Sequence, residues 1–189
     1  MIADNMIAAK QIEPLVIVMP NGHPIALPEK RDNAYYPKNN DAYAKDIVES
    51  AMPFVQKRYR VSESASRTFI AGLSMGGGHA LDTGLKHSDK FSAIGAFSSS
   101  APQVSLTEKY PACAGEEPVV NTNLKHLWIA IGKKDFLLDR NHKFVAALKK
   151  NGIKHTYVET AGGHEWNLWR DYVGQFLKLA VPVRLSKQQ

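Results

Sequence analysis

Ser74 stands in the string Ala71-Gly72-Leu73-Ser74-Met75-Gly76-Gly77-Gly78, directly after the apolar run Thr68-Phe69-Ile70-Ala71 and before the helical stretch His79–Lys86. A Gly-x-Ser-x-Gly pattern at a strand-to-helix turn has a mechanical rationale. Small neighbours let strand and helix approach closely, and the serine hydroxyl is lifted above the sheet. The Met75 N–H and the helix N-terminus then lie beneath the position of a developing oxyanion. The chemistry this suits is nucleophilic attack by serine, which needs a base, and the base needs an orienting acid.

Downstream of Ser74 the histidines are His79, His87, His126, His142, His155 and His164. Only His164 follows a strand-like run in a Gly-rich loop, Ala161-Gly162-Gly163-His164, with a helix after it. His126 and His155 fall at strand starts, the wrong end of a parallel sheet for catalysis. His79, His87 and His142 read as helix residues with surface imidazoles. The acid belongs after the preceding strand, where Gly132-Lys133-Lys134-Asp135-Phe136-Leu137-Leu138-Asp139 stands. Asp135 comes first and is preferred; Asp139 is better used as the N-cap of the next helix. Asp135 would hold the imidazole tautomer and stabilise imidazolium rather than accept a proton.

The elements that must position these residues follow from patterning. Continuous apolar runs at Leu15–Met19, Thr68–Ala71, Ala93–Phe97 and Leu127–Ile131 suit parallel strands buried on both faces, and the more polar His155–Glu159 suits a strand nearer an edge. Between them lie helical periods. Tyr43, Ile47, Val48, Ala51 and Val55 share one face, with Asp41 as expected N-cap and Pro53 as expected kink. A second helix runs from the Asp139 cap past Phe144, Val145 and Leu148, with Lys149 and Lys150 in its last turn and a stop at Asn151-Gly152. A third carries Trp166, Trp169, Val173, Phe176, Leu177 and Ala180 and ends before Pro182. Strand–helix alternation of this kind predicts an α/β layer fold with a mostly parallel sheet of about five strands, in one domain over residues 1–189.

Composition bounds the remaining classes. The chain has 189 residues, 44% hydrophobic and 22% charged, which argues against intrinsic disorder. A single cysteine, Cys113, excludes a disulfide framework. No run approaches the roughly 20 apolar residues of a membrane span, and Asp4, Lys10 and Glu13 interrupt the first twenty residues, so they do not read as a secretory signal. The net charge of +6 is scattered in pairs such as Lys57-Arg58 and Lys133-Lys134, with no aromatic-basic motif, so a nucleic-acid partner is not expected. His164-Glu165 begins like a zinc-protease helix, but Leu168 stands where its second histidine belongs. There is no phosphate loop, no Gly-x-Gly-x-x-Gly and no cysteine pair for zinc. No metal and no organic cofactor are expected.

Four strings together resemble the esterase-D-like α/β hydrolases, with the feruloyl and acetylxylan esterases of plant cell walls the most similar group: Pro20-Asn21-Gly22, Asp41-Ala42-Tyr43-Ala44-Lys45-Asp46, Ala71–Gly78, and Gly162-Gly163-His164-Glu165-Trp166-Asn167-Leu168-Trp169. The resemblance covers nearly the whole chain. It implies an α/β-hydrolase-type sheet, a Ser74–Asp135–His164 triad, no cofactor, and cleavage of ferulate or acetate esters of xylan. It also implies an earlier strand and a loop giving a second oxyanion N–H beside that of Met75, and this chain begins after both. The expectation is therefore an N-terminally truncated sheet, altered at the edge between Leu15–Met19 and Thr68–Ala71 or completed there by a homodimer. Asn21, Gly22 and His23 either line the cleft or form an ordinary loop. Trp166 either walls an aromatic acyl site or packs in the core with Trp169. The alternative to a working serine esterase is a silent or partner-dependent fragment acting as a carbohydrate-binding or assembly subunit. The compartment is not legible from this sequence.

Overall fold

The structure is a computed structural model and describes residues 1–27 and 34–183. Four parallel strands form one sheet in the order β1-β2-β3-β4: β1 (Phe69–Leu73), β2 (Ala93–Phe97), β3 (His126–Gly132) and β4 (Thr156–Thr160). The helices in chain order are α1 (Ile2–Ala8), α2 (Tyr35–Lys45), α3 (Met52–Arg58), α4 (Met75–Lys86), α5 (Leu106–Lys109), α6 (Val120–Asn123), α7 (Leu138–Lys150) and α8 (Trp166–Ala180). A π-helical segment, Asp46–Ala51, joins α2 to α3.

The two central strands are buried on both faces, and this is why their sequences are apolar without alternation. Ile94, Ala96, Leu127 and Ile129 meet Leu81 and Leu85 of α4 and Phe144 and Leu148 of α7 on one face. Ala93, Phe97, Trp128 and Ala130 meet Trp169, Tyr172 and Phe176 of α8 on the other. Phe97, Trp128, Tyr172 and Phe176 contact one another mainly edge-to-face, with centroids 5.6 to 6.1 Å apart. That geometry suits the ring quadrupoles. Burying a side chain of this size stabilises the fold by about 1.5–3 kcal/mol. Helix α1, which no sequence pattern singles out, lays Ala3 and Met6 with Ile12 against Leu177 of α8.

Three expectations need correction. The run Leu15–Met19 forms no strand: it is unpaired, and Val16, Ile17, Val18 and Met19 are exposed. An apolar run becomes a buried strand only where a neighbouring strand satisfies its backbone, and among the described residues β1 pairs with β2 alone. Among the described residues the sheet thus has four strands, where about five were expected. Asp41 caps no helix, since α2 starts earlier, at Tyr35; its carboxylate instead pairs with Lys86 Nζ of α4 at 2.7 Å. Asp139 is likewise not a cap but a first-turn residue of α7. The break expected at Pro53 takes the form of the π-helical segment. Proline lacks the N–H of an α-turn and its ring crowds the carbonyl one turn back, and the wider π-turn relieves both before Pro53 enters the first turn of α3.

Candidate active site

All four strands are parallel, so their C-terminal ends share one side of the sheet, and the loops leaving β1, β3 and β4 carry Ser74, Asp135 and His164. Ser74 has φ +53° and ψ −118°, a conformation that costs a non-glycine residue of order 1–3 kcal/mol. Hydrogen bonds around it hold that conformation. Its N–H donates to the Phe97 carbonyl at 2.9 Å, and its carbonyl accepts from Ser100 N–H at 2.9 Å and Gly78 N–H at 3.2 Å. The turn also needs Gly72, because a Cβ there would lie 2.2 Å from the Gly76 carbonyl oxygen. The loop after β2 is in turn fixed by Asn141 of α7, which accepts from Ser99 Oγ at 2.8 Å and donates to the Ser99 carbonyl at 2.8 Å.

His164 bridges the other two residues. Its Nε2 lies 3.0 Å from Ser74 Oγ, and its Nδ1 lies 2.9 and 3.1 Å from the two Asp135 carboxylate oxygens. The Asp135 carboxylate is fully buried, and it also accepts from Leu137 N–H at 2.9 Å, in the turn just before α7. What brings acid and base together is a tight seam between the loops after β3 and β4. Lys133 N–H donates to the Thr160 carbonyl and Lys134 N–H to the Gly162 carbonyl, each at 2.8 Å. Any Cβ at Gly132 would sit 2.5 Å from that same Gly162 oxygen. Gly132 was not singled out from the sequence; its place as the last residue of β3 is the only signal it gives.

Met75 is the first residue of α4. Its N–H is one of the donors that a helix N-terminus leaves without an intrahelical partner, at the positive end of the helix dipole and beside Ser74. Gly22 lies against this corner, since a Cβ on it would come 3.2 Å from Met75 Cε and 3.7 Å from the His79 ring. Asn39 of α2 holds the loop there by donating Nδ2–H to the Gly22 carbonyl at 2.9 Å. The same amide nitrogen is 3.4 Å from His79 Nε2, and the His79 ring stacks on Tyr43 with centroids 4.4 Å apart. His79 is therefore buried, not the surface imidazole its helical position suggested. Burial, with the nearby His23, lowers its pKa. Asn21 is exposed, and its side chain accepts from His23 N–H at 3.0 Å, which shapes the turn.

The two candidate tryptophans part ways. Trp169 is buried and meets the His164 ring edge-on at 4.8 Å. Trp166 is 63% exposed and packs on Trp169 at 5.1 Å, so it lies outside the core. Phe136, which sequence reasoning passed over, is 76% exposed with its ring centroid 4.5 Å from that of His164. His126 and His155 fall at the opposite end of the sheet, at the start of β3 and just before β4. Among the described residues no cluster of His, Cys, Asp and Glu could hold a metal ion, and no helix is long and apolar enough to cross a membrane.

The sequence model of a family described as "Putative esterase" matches residues 2–177, and the chain belongs to that family. Its fold is of the α/β-hydrolase type. An acetyl esterase of Caldicellulosiruptor saccharolyticus is 26% identical over 175 residues, covering 75% of this chain and 66% of the relative. The chain thus spans about two thirds of that curated relative's length. A solved ferulic acid esterase superposes with a TM-score of 0.74 at 28% identity, over 95% of this chain and 75% of the other. A ferulic acid esterase of Anaeromyces mucronatus superposes with a TM-score of 0.76 at 22% identity, over 92% of this chain and 67% of the other; at that identity it speaks for the fold.

Proposed function

We propose that the protein is a serine carboxylesterase in which Ser74 is the nucleophile, His164 the base and Asp135 the residue that orients and electrostatically supports His164. The observation that carries this reading is the unbroken hydrogen-bonded line from Asp135 through His164 to Ser74 Oγ. Ser74 Oγ attacks the ester carbonyl carbon while its proton passes to His164 Nε2. The carbonyl oxygen becomes an oxyanion beside the Met75 N–H. Collapse expels the alcohol, which takes the proton back from Nε2, and leaves an acyl group on Ser74. Water then repeats the sequence with His164 again as base, releasing the acid and restoring the hydroxyl. The buried Asp135 carboxylate stabilises the imidazolium formed in each half-reaction. One oxyanion donor is typically worth 10²–10³ in rate, and Met75 N–H is placed to be one.

The names of the similar proteins, an acetyl esterase and ferulic acid esterases, support acetyl and feruloyl esters as substrates. The second reading, a subunit that works only with a partner, is favoured by one observation: among the described residues β1 pairs on one side only, and the apolar Val16, Ile17, Val18 and Met19 are exposed. The deciding experiment is hydrolysis of p-nitrophenyl acetate and methyl ferulate by the 189-residue chain beside Ser74→Ala. Turnover that disappears in the variant establishes the esterase. Equal background rates from both proteins overturn it and leave the partner-dependent reading.

A further inference from the structure

The three candidate residues belong to two halves of the sheet. Ser74 is built into the β1–β2 half: its N–H donates to the Phe97 carbonyl, and its carbonyl accepts from Ser100 N–H in the loop after β2. Asp135 and His164 stand on the β3–β4 half, where Lys134 N–H donates to the Gly162 carbonyl and ties their two loops together. The 3.0 Å contact between His164 Nε2 and Ser74 Oγ crosses from one half to the other. The paired register of β2 and β3 ends at Phe97 and Ala130, short of all three residues. What sets the length of the crossing contact is therefore how the loops beyond the strand ends are held against each other.

Asn141 of α7 spans that gap. Its side chain is fully buried, its Oδ1 accepts from Ser99 Oγ at 2.8 Å, and its two Nδ2–H groups donate to the Ser99 and Leu137 carbonyls at 2.8 and 2.9 Å. A reversed amide would set its oxygen against two carbonyls, so the arrangement has one orientation. On one side, Ser99 precedes Ser100, whose N–H holds the Ser74 carbonyl. On the other, Leu137 is the residue whose N–H the Asp135 carboxylate accepts. An apolar side chain would fill the same space without fixing either loop, whereas a buried amide with its hydrogen bonds made is directional and rigid. We propose that Asn141 is a positioning residue for ester hydrolysis, a strut that sets the distance between Ser74 and the His164–Asp135 pair. This rests on the esterase reading and adds to it a residue that touches none of the reacting atoms.

The test combines kinetics with NMR on the full chain. In Asn141→Ala, kcat on p-nitrophenyl acetate is expected to fall about a hundredfold at unchanged KM, the loss that a displacement of about 1 Å between reacting groups brings. Because acid and base move together, the downfield Nδ1–H resonance of His164 and the acid limb of the kcat/KM profile should stay at their wild-type positions. Ser99→Ala removes one of the three hydrogen bonds and should lower kcat by a smaller factor. The double variant should be no slower than Asn141→Ala, as two residues acting through one contact require. Wild-type kcat in Asn141→Ala overturns the proposal. So does a loss accompanied by a shifted resonance or acid limb, which places the damage in the His164–Asp135 pair, and so do losses that multiply in the double variant. If Asn141→Ala does not fold, Ser99→Ala decides alone: slower turnover at unchanged KM and resonance sustains the strut, and wild-type turnover ends it. A wild type that cleaves no ester defeats the esterase reading and leaves the strut to be judged by the nitrogen NMR shift of His164 Nε2. Ser74→Ala gives the shift of that nitrogen without its partner. Movement toward that value in Asn141→Ala sustains the strut, and a wild-type value overturns it.

Discussion

Asp135 serves two structures with one carboxylate. It accepts from His164 Nδ1 and from Leu137 N–H, so the residue proposed to support His164 also shapes the turn that leads into α7. Asp135→Asn keeps an acceptor for Leu137 but offers His164 an amide that is uncharged and readily turns a donor toward Nδ1. The expected outcome is a fold of nearly wild-type stability with kcat on p-nitrophenyl acetate reduced by about 10³–10⁴, because the wrong imidazole tautomer faces Ser74. A matched urea titration and rate measurement separates the two effects. Cys113 illustrates the opposite case at the same scale. It is 1% exposed and burial pushes its thiol up to about 11, so it is a core residue with no nucleophilic role at neutral pH.

At the scale of elements, the β1–α4 turn makes unequal demands on its glycines. Gly72 has no room for a methyl group, whereas a Cβ on Gly76, inside α4, meets nothing within 4 Å. Gly72→Ala should therefore destabilise the protein by about 1–3 kcal/mol through displaced backbone and should silence Ser74. Gly76→Ala should be neutral or stabilising by up to about 1 kcal/mol in urea unfolding, since alanine is the better helix former. The α2–α4 contact carries a pH dependence. Burial lowers the pKa of His79, and His87 and His126 shift in the same direction. The unfolded chain then binds more protons than the folded one between the lowered values and the ordinary 6.5. Stability consequently rises with pH through that window and falls as the solution is acidified below about 6.5. Thermal midpoints between pH 7 and pH 5 should show that slope, and His79→Gln should flatten it.

Much of this architecture is legible in residue patterns, and the exceptions share a cause. Continuous apolar runs located β1, β2 and β3, the 3.6-residue period located α7 and α8, and the rule that chemistry gathers at strand C-termini put forward Ser74, Asp135 and His164 as candidates, which the structure brings within hydrogen-bonding distance of one another. Leu15–Met19 carries the same apolar signal yet lies outside the sheet, because pairing depends on a partner strand and not on the segment itself. His79, Phe136 and Gly132 escaped for a related reason. Whether an imidazole is buried, a phenyl ring exposed or a Cβ excluded is decided by residues distant in the chain, here Tyr43, His164 and Gly162.

For the molecule as a whole, β1 stands at an edge of the sheet formed by the described residues. Its N–H and C=O groups are not paired on that side within the described residues, and Val16, Ile17, Val18 and Met19 are exposed. Such an edge is a template for another strand. A homodimer across it is the arrangement proposed, and sedimentation velocity over a hundredfold concentration range should show concentration-dependent association. Val16→Lys with Val18→Lys should hold the chain monomeric, as lysines do on natural sheet edges. A monomer at every concentration would refute the dimer.

The hydrogen bond from His164 to Ser74 spans 90 positions of sequence, and it has a temporal side. During synthesis the serine leaves the ribosome well before its base exists. The base comes into reach only after β2, β3 and β4 have been added in order beside β1. An incomplete chain therefore carries an ordinary, unactivated hydroxyl. The proposed relay can close only in a chain that already holds all four strands of the sheet.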